Sequence, residues 1–146
     1  MIDNYFIIAS NLYCMRAITK CINERNAPRG ILLVVTMYVS MIYHAIVSGH
    51  DMPGGSPAQQ YEHMFELADT TLTSLLIFTF ILQFKDFGSP KIVKFWFLVL
   101  LCLAVSEMFV IDTLVLDTAY MKLAYALTHS LWHLALFHVA YLLVKA

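Results

Sequence analysis

A chain of 146 residues that is 60% apolar and only 13% charged, with a net charge of -1 and a mean hydropathy of +0.72, lies outside the range of soluble domains. It holds no basic run of the kind that binds nucleic acid and leaves no room for a separate soluble domain. A bilayer core about 30 Å thick takes about 20 helical residues per crossing, so one unit over 1–146 is expected, an all-α, polytopic transmembrane helix bundle of about five or six spans.

The first apolar run, about 5–23, is interrupted by Arg16 and Lys20. Long cationic stems snorkel, so a short tilted crossing is expected there, with an interfacial helix as the alternative. The acidic start Met1-Ile2-Asp3 is followed by no small-residue cleavage site, and it is read as part of the mature chain. Next comes a polar connection in which Pro28 and Gly30 are expected to break any helix. The second run, about 31–48, ends in Gly49-His50-Asp51-Met52-Pro53-Gly54-Gly55, which reads as turn or loop and as a flexible rim over whatever lies beneath. The third run covers about 65–84 and the fourth about 92–111, with Glu107 inside it. Residues Thr113 to Leu116 are too few to cross, so a loop or a helical extension is expected. The fifth run, about 120–144, is the longest.

Arg16, Lys20, Arg25 and Arg29 flank the first connection, and Lys85, Lys91 and Lys94 the third, while Lys145 closes the chain. The other connections carry Asp51, Glu62, Glu66, Asp112 and Asp117, with Lys122 as a stray cation. Positive-inside bias then gives about five crossings, the N-terminus outside and the C-terminus inside, in the plasma membrane or an endomembrane. Cys14, Cys21 and Cys102 sit in or beside apolar runs at spacings that fit neither a disulfide framework nor a thiolate zinc site, and are read as buried free thiols.

Within this apolar frame, ionisable side chains at membrane depth mark a functional site. His129 and His133 stand four apart in Leu127-Thr128-His129-Ser130-Leu131-Trp132-His133, which stacks both imidazoles on one helix face. Ser40 and His44 repeat that spacing in the second run, and Asp69 lies near the start of the third. The expected topology brings all five to the extracytoplasmic side, at depths that agree to within about 10 Å.

A catalytic zinc site uses three protein ligands and leaves one position open. His44, His129 and His133 are the expected zinc ligands, Asp69 the general base, and Ser40 the group that orients water or supports an oxyanion. The chemistry that follows is hydrolysis of a lipid carbonyl.

Each residue also has a plainer reading. The histidine pair could bridge helices, Ser40 could bond back to its own helix, and Asp69 could serve as a first-turn acid. A haem-binding bundle is a further option, although two axial ligands would leave one of the paired histidines spare. His138 is rotated about 180° from His129 and is expected to face away. His50 and His63 read as solvated loop residues, Trp132 as a packing group, and Glu107 as a rival to Asp69.

The combination Ser-x-x-x-His, then Asp in the next span, then His-x-x-x-His in the last resembles the signature of the CREST superfamily of membrane hydrolases, which includes alkaline ceramidases and the adiponectin and progestin receptors. T-H-S-L-W-H, Y-V-S-M-I-Y-H-A and the early A-S-N-L look most like the branch that holds the post-GPI-attachment phospholipase and myomaker. The resemblance covers about two thirds of the chain. It implies zinc on His44, His129 and His133, with Asp69 and Ser40 beside the water, and a ceramide-like amide or GPI-acyl ester as substrate. The myomaker side of the branch implies the alternative, a non-enzymatic protein of membrane remodelling, fusion or reception with structural zinc. Members of the superfamily have seven spans where this chain has room for five, so a second copy or a partner subunit is expected to complete the cavity.

Overall fold

The computed structural model describes residues 2–49, 61–82, 90–116 and 118–144. Nearly all of the rim loop 51–61, His50, and the side chains of Glu107 and Asp112 lie outside the described residues. The chain forms a helical bundle, with no strand among the described residues. Its elements are α1 (Ile2–Asn11), α2 (Cys14–Asn23), α3 (Ala27–Gly49), α4 (Glu62–Ile81), α5 (Pro90–Leu116) and α6 (Ala119–Leu143). Three stretches, Ala27–Val47, Glu62–Ile81 and Ala119–Leu143, are long and apolar enough to cross a membrane, and Ile92–Ser106 is a shorter apolar helix.

The first apolar run is two helices rather than one, and the cause is local. Ser10 Oγ and Asn11 Nδ2 both donate to the Ile7 carbonyl, at 2.7 and 3.1 Å, so side chains compete with the backbone ladder there. The ladder answers by tightening. Leu12 N bonds Ala9 O, Tyr13 N bonds Ser10 O, Met15 N bonds Leu12 O and Arg16 N bonds Tyr13 O, each three residues back.

The polar connection after the first run departs further from expectation, because Pro28 and Gly30 do not break a helix but open one. Pro28 sits in the first turn of α3, where the amide it lacks would have had no intrahelical partner. Asn26 caps that turn, its Oδ1 accepting from Arg29 N at 3.4 Å. A Cβ built on Gly30 would lie 3.3 Å from Cys21 Cβ, so glycine is what lets α2 and α3 approach this closely.

The end of α2 is closed by a Schellman motif: Asn26 N bonds Cys21 O and Arg25 N bonds Ile22 O. The left-handed position of that motif is held by Arg25, at φ 53°. Glycine adopts this conformation freely, whereas an L-residue is disfavoured there by about 1 to 2 kcal/mol.

Helix α6 is the centre of the bundle. It packs most extensively against α5, then against α1 and α2, while α3 packs against α4, α2 and α1. Its C-terminal half is buried on almost every side, through Ala135, Leu136, Phe137, Val139, Ala140 and Leu143, and joins one core with Ile18, Leu33, Leu76, Phe80 and Val99. Its N-terminal half leaves Tyr120, Leu123, Leu127 and Leu131 exposed.

The free carbonyls at the C-terminal end of α6 are met by cations from the α2–α3 corner. Lys20 Nζ donates to Tyr141 O and Arg29 to Leu143 O, each at 2.9 Å, in the favourable sense for the helix dipole. Lys20 and Arg16 also sit over the Tyr141 ring, at 4.7 and 5.1 Å from its centroid. The end of α6 therefore lies beside the α2–α3 corner. Residues Thr113 to Leu116 continue α5 as a helical extension.

Candidate metal centre

Two helices supply the centre. The run Ala119–Leu143 is uninterrupted by proline or glycine, and it starts from a Thr118 cap whose side chain accepts from Met121 N. One turn of it separates His129 from His133, so their rings lie 4.7 Å apart, edge to face. From α3, His44 completes a triangle with them, with ring centroids 5.0 Å from His129 and 5.6 Å from His133. All three are buried, at 2%, 9% and 2% exposure for His44, His129 and His133.

One ligand nitrogen from each of the three lies within 4.8 Å of the others. A tetrahedral zinc ion with nitrogens at about 2.0 to 2.1 Å sets them about 3.4 Å apart, a difference that small ring rotations close without moving a helix. The three buried histidines could thus hold one metal ion. Their unmet polar atoms fit that assignment, because His44 Nε2 and both nitrogens of His129 are buried without a hydrogen-bond partner. A buried polar atom left so costs about 1 to 3 kcal/mol, and an ion at the shared point would satisfy one on each ring.

The third imidazole is oriented by a residue that the sequence did not single out. Ser10 Oγ lies 3.0 Å from His133 Nδ1. The hydroxyl already commits its proton to the Ile7 carbonyl, so it can only accept from His133. Ile7 O faces the ring as well. His133 therefore carries its proton on Nδ1, which leaves the Nε2 lone pair as the one it could offer a metal, the arrangement in which a second hydrogen bond fixes a metal-binding histidine. Ser10→Ala should weaken zinc binding about 10- to 100-fold in a chelator-competition titration, and Ser10→Thr, which keeps the hydroxyl, should not.

Beside the histidines opens a cavity of about 450 Å³, walled by Asp69, Thr70 and Thr73 of α4, Leu103 of α5, and Tyr125, His129 and Trp132 of α6. Asp69 and His129 thus line one space, whereas the residues close enough together to share a metal ion are the three imidazoles. Ser40, one turn before His44, faces the Asp69 carboxyl. Neither Ser40 Oγ nor Asp69 Oδ1 has a well-aligned hydrogen-bond partner, and both are buried. The two groups are polar neighbours of each other, and of the pair Asp69 lines the cavity.

Trp132 packs in the core, as expected, and borders the cavity as well. Although offset from the paired histidines, its ring lies 5.2 Å from His129 and 5.0 Å from His133 and forms part of the cavity wall. His138 lies apart from the centre: its Nδ1 is 3.0 Å from Tyr13 Oη, which accepts from Arg16, and its ring packs on Phe95. His63 is 92% exposed and meets Glu66 at 3.4 Å. The three cysteines are free thiols.

Comparison with family models, with curated proteins and with solved structures finds no match to this chain.

Proposed function

We propose that this chain is a multi-pass membrane protein of about five spans, N-terminus outside, and that it is a zinc-dependent hydrolase of a lipid amide or ester. The observation that carries the reading is that one cavity is lined both by Asp69 and by His129, a member of the three-histidine cluster. The resemblance of its Ser-x-x-x-His, Asp and His-x-x-x-His pattern to the CREST superfamily points the same way and suggests a ceramide-like or GPI-acyl-like substrate.

His44, His129 and His133 would hold the ion through one nitrogen each. Bound there, zinc would supply a Lewis acid and bring the pKa of water to about 7. The remaining work falls to the chain. Asp69 accepts a proton from the attacking water and returns it to the leaving amine or alcohol, so that one water adds across the C–N or C–O bond. Ser40, beside that carboxyl, orients the water and donates to the carbonyl oxygen as charge builds on it. The apolar walls from Leu103 and Trp132 receive the acyl chain.

The test is release of fatty acid from mixed ceramides and acylated glycerolipids in detergent micelles, followed by mass spectrometry. Release that stops on zinc chelation and returns on zinc addition supports the proposal. A folded, zinc-loaded protein that cleaves neither class contradicts it.

A second reading has an observation in its favour. Among the described residues α3 and α6 pack only sparsely on each other, so an ion on His44, His129 and His133 would cross-link them. On that reading the protein is non-enzymatic and acts in membrane remodelling or reception. Asp69→Ala combined with Ser40→Ala would then leave its biological activity intact.

A further inference from the structure

Away from the metal centre, the α2–α3 corner holds a groove of about 530 Å³, a volume typical of small-ligand sites. Its walls are apolar, formed by Ile18, Ile22, Ile31 and Val35, and its one charged lining residue is Arg25. Two observations bear on that residue and a third on its surroundings. Arg25 occupies the left-handed position of the Schellman motif, where glycine is favoured, so its side chain is retained against the backbone's preference. Its guanidinium has no hydrogen-bond or ion-pair partner among the described residues, whereas Arg16, Lys20 and Arg29 nearby are each engaged. Lys20 and Arg29 also lie close enough to Cys21, on the groove wall, to act on it electrostatically. Against these cations the same segment offers one acid, Glu24.

We infer that this groove is a binding site for an anionic glycerophospholipid, one acyl chain lying along Ile18, Ile22, Ile31 and Val35 and the phosphate meeting Arg25. The corner is an apolar slot with a positive mouth. An anionic lipid matches both halves: its tail has no polar atoms to satisfy, and a guanidinium pairs with phosphate through two parallel hydrogen bonds. A zwitterionic lipid would place its own cation beside Arg25 and lose the advantage. The inference rests on the membrane placement proposed above and not on the hydrolase chemistry.

The test is native mass spectrometry of the full chain released from detergent, with phosphatidylglycerol or phosphatidylcholine of identical acyl chains added. Wild type should retain one phosphatidylglycerol in preference to phosphatidylcholine. Arg25→Gly relieves the left-handed backbone, so it should unfold at no lower temperature than wild type while that preference falls about fivefold. Arg25→Gln removes the charge and keeps a side chain, and it should lose the preference equally. Val35→Trp fills the slot at a half-exposed position and should reduce retention of both lipids. An unchanged preference in either Arg25 variant, or unchanged retention in Val35→Trp, overturns the proposal. Retention that survives mutation of His129 separates this site from the metal centre.

Discussion

His129→Ala is expected to remove zinc from the purified protein and to lower turnover by roughly a thousandfold or more, since the ion provides several kcal/mol of transition-state stabilisation. The effect is large because His129 serves two surfaces at once. One of its nitrogens completes the three-histidine set, and its ring walls the cavity that Asp69 faces. His44 and His133 alone would offer two ligands from two helices that pack sparsely, too few for a closed site. The bundle itself should survive. Most of the core lies in the C-terminal half of α6 and against α2 to α5, with Trp132 the core residue whose ring neighbours His129. Metal content and circular dichroism on the same sample check both halves of the expectation.

Asp69→Asn should reduce turnover about 10²- to 10⁴-fold while zinc remains bound near one per chain. The amide keeps the size of the carboxyl but cannot take a proton from water. Retained zinc matters as much as lost activity here, because the converging ligand set is the three imidazoles. If Asp69 were instead a ligand, zinc would leave with it. Ser40→Ala should have a smaller effect of the same kind, since on the proposed mechanism its hydroxyl would orient the water that the carboxyl activates. Activity measured against metal content for the two variants separates a proton-transfer role from a scaffold role.

Much of the centre was legible in the sequence because its signals are local and periodic. Four-residue spacing puts His129 and His133 on one face whatever surrounds them, and half a helical turn puts His138 on the other, against Tyr13 and Phe95. Bringing in His44 from a different helix took a topological argument from charge placement. What escaped has a common cause: it depends on contacts between distant segments or on backbone detail. Ser10 meets His133 across 123 residues of sequence, and no periodicity announces such a pair. Trp132 reaches the cavity despite its angular offset because an indole is wide enough to span the gap. Pro28 and Gly30 are helix breakers by residue type, but position decides their effect here. In the first turn proline has no bond to lose, and Gly30 answers to its contact with Cys21. Arg25 in a left-handed cap goes against composition altogether, since glycine is the residue expected there.

X-ray absorption at the zinc edge on the purified full-length chain tests the central claim most directly. The account predicts about one zinc per chain, with three imidazole nitrogens and one oxygen at about 2.0 to 2.1 Å and no sulfur. A folded protein that carries no metal after zinc loading, or a zinc ion held by sulfur ligands, would contradict it.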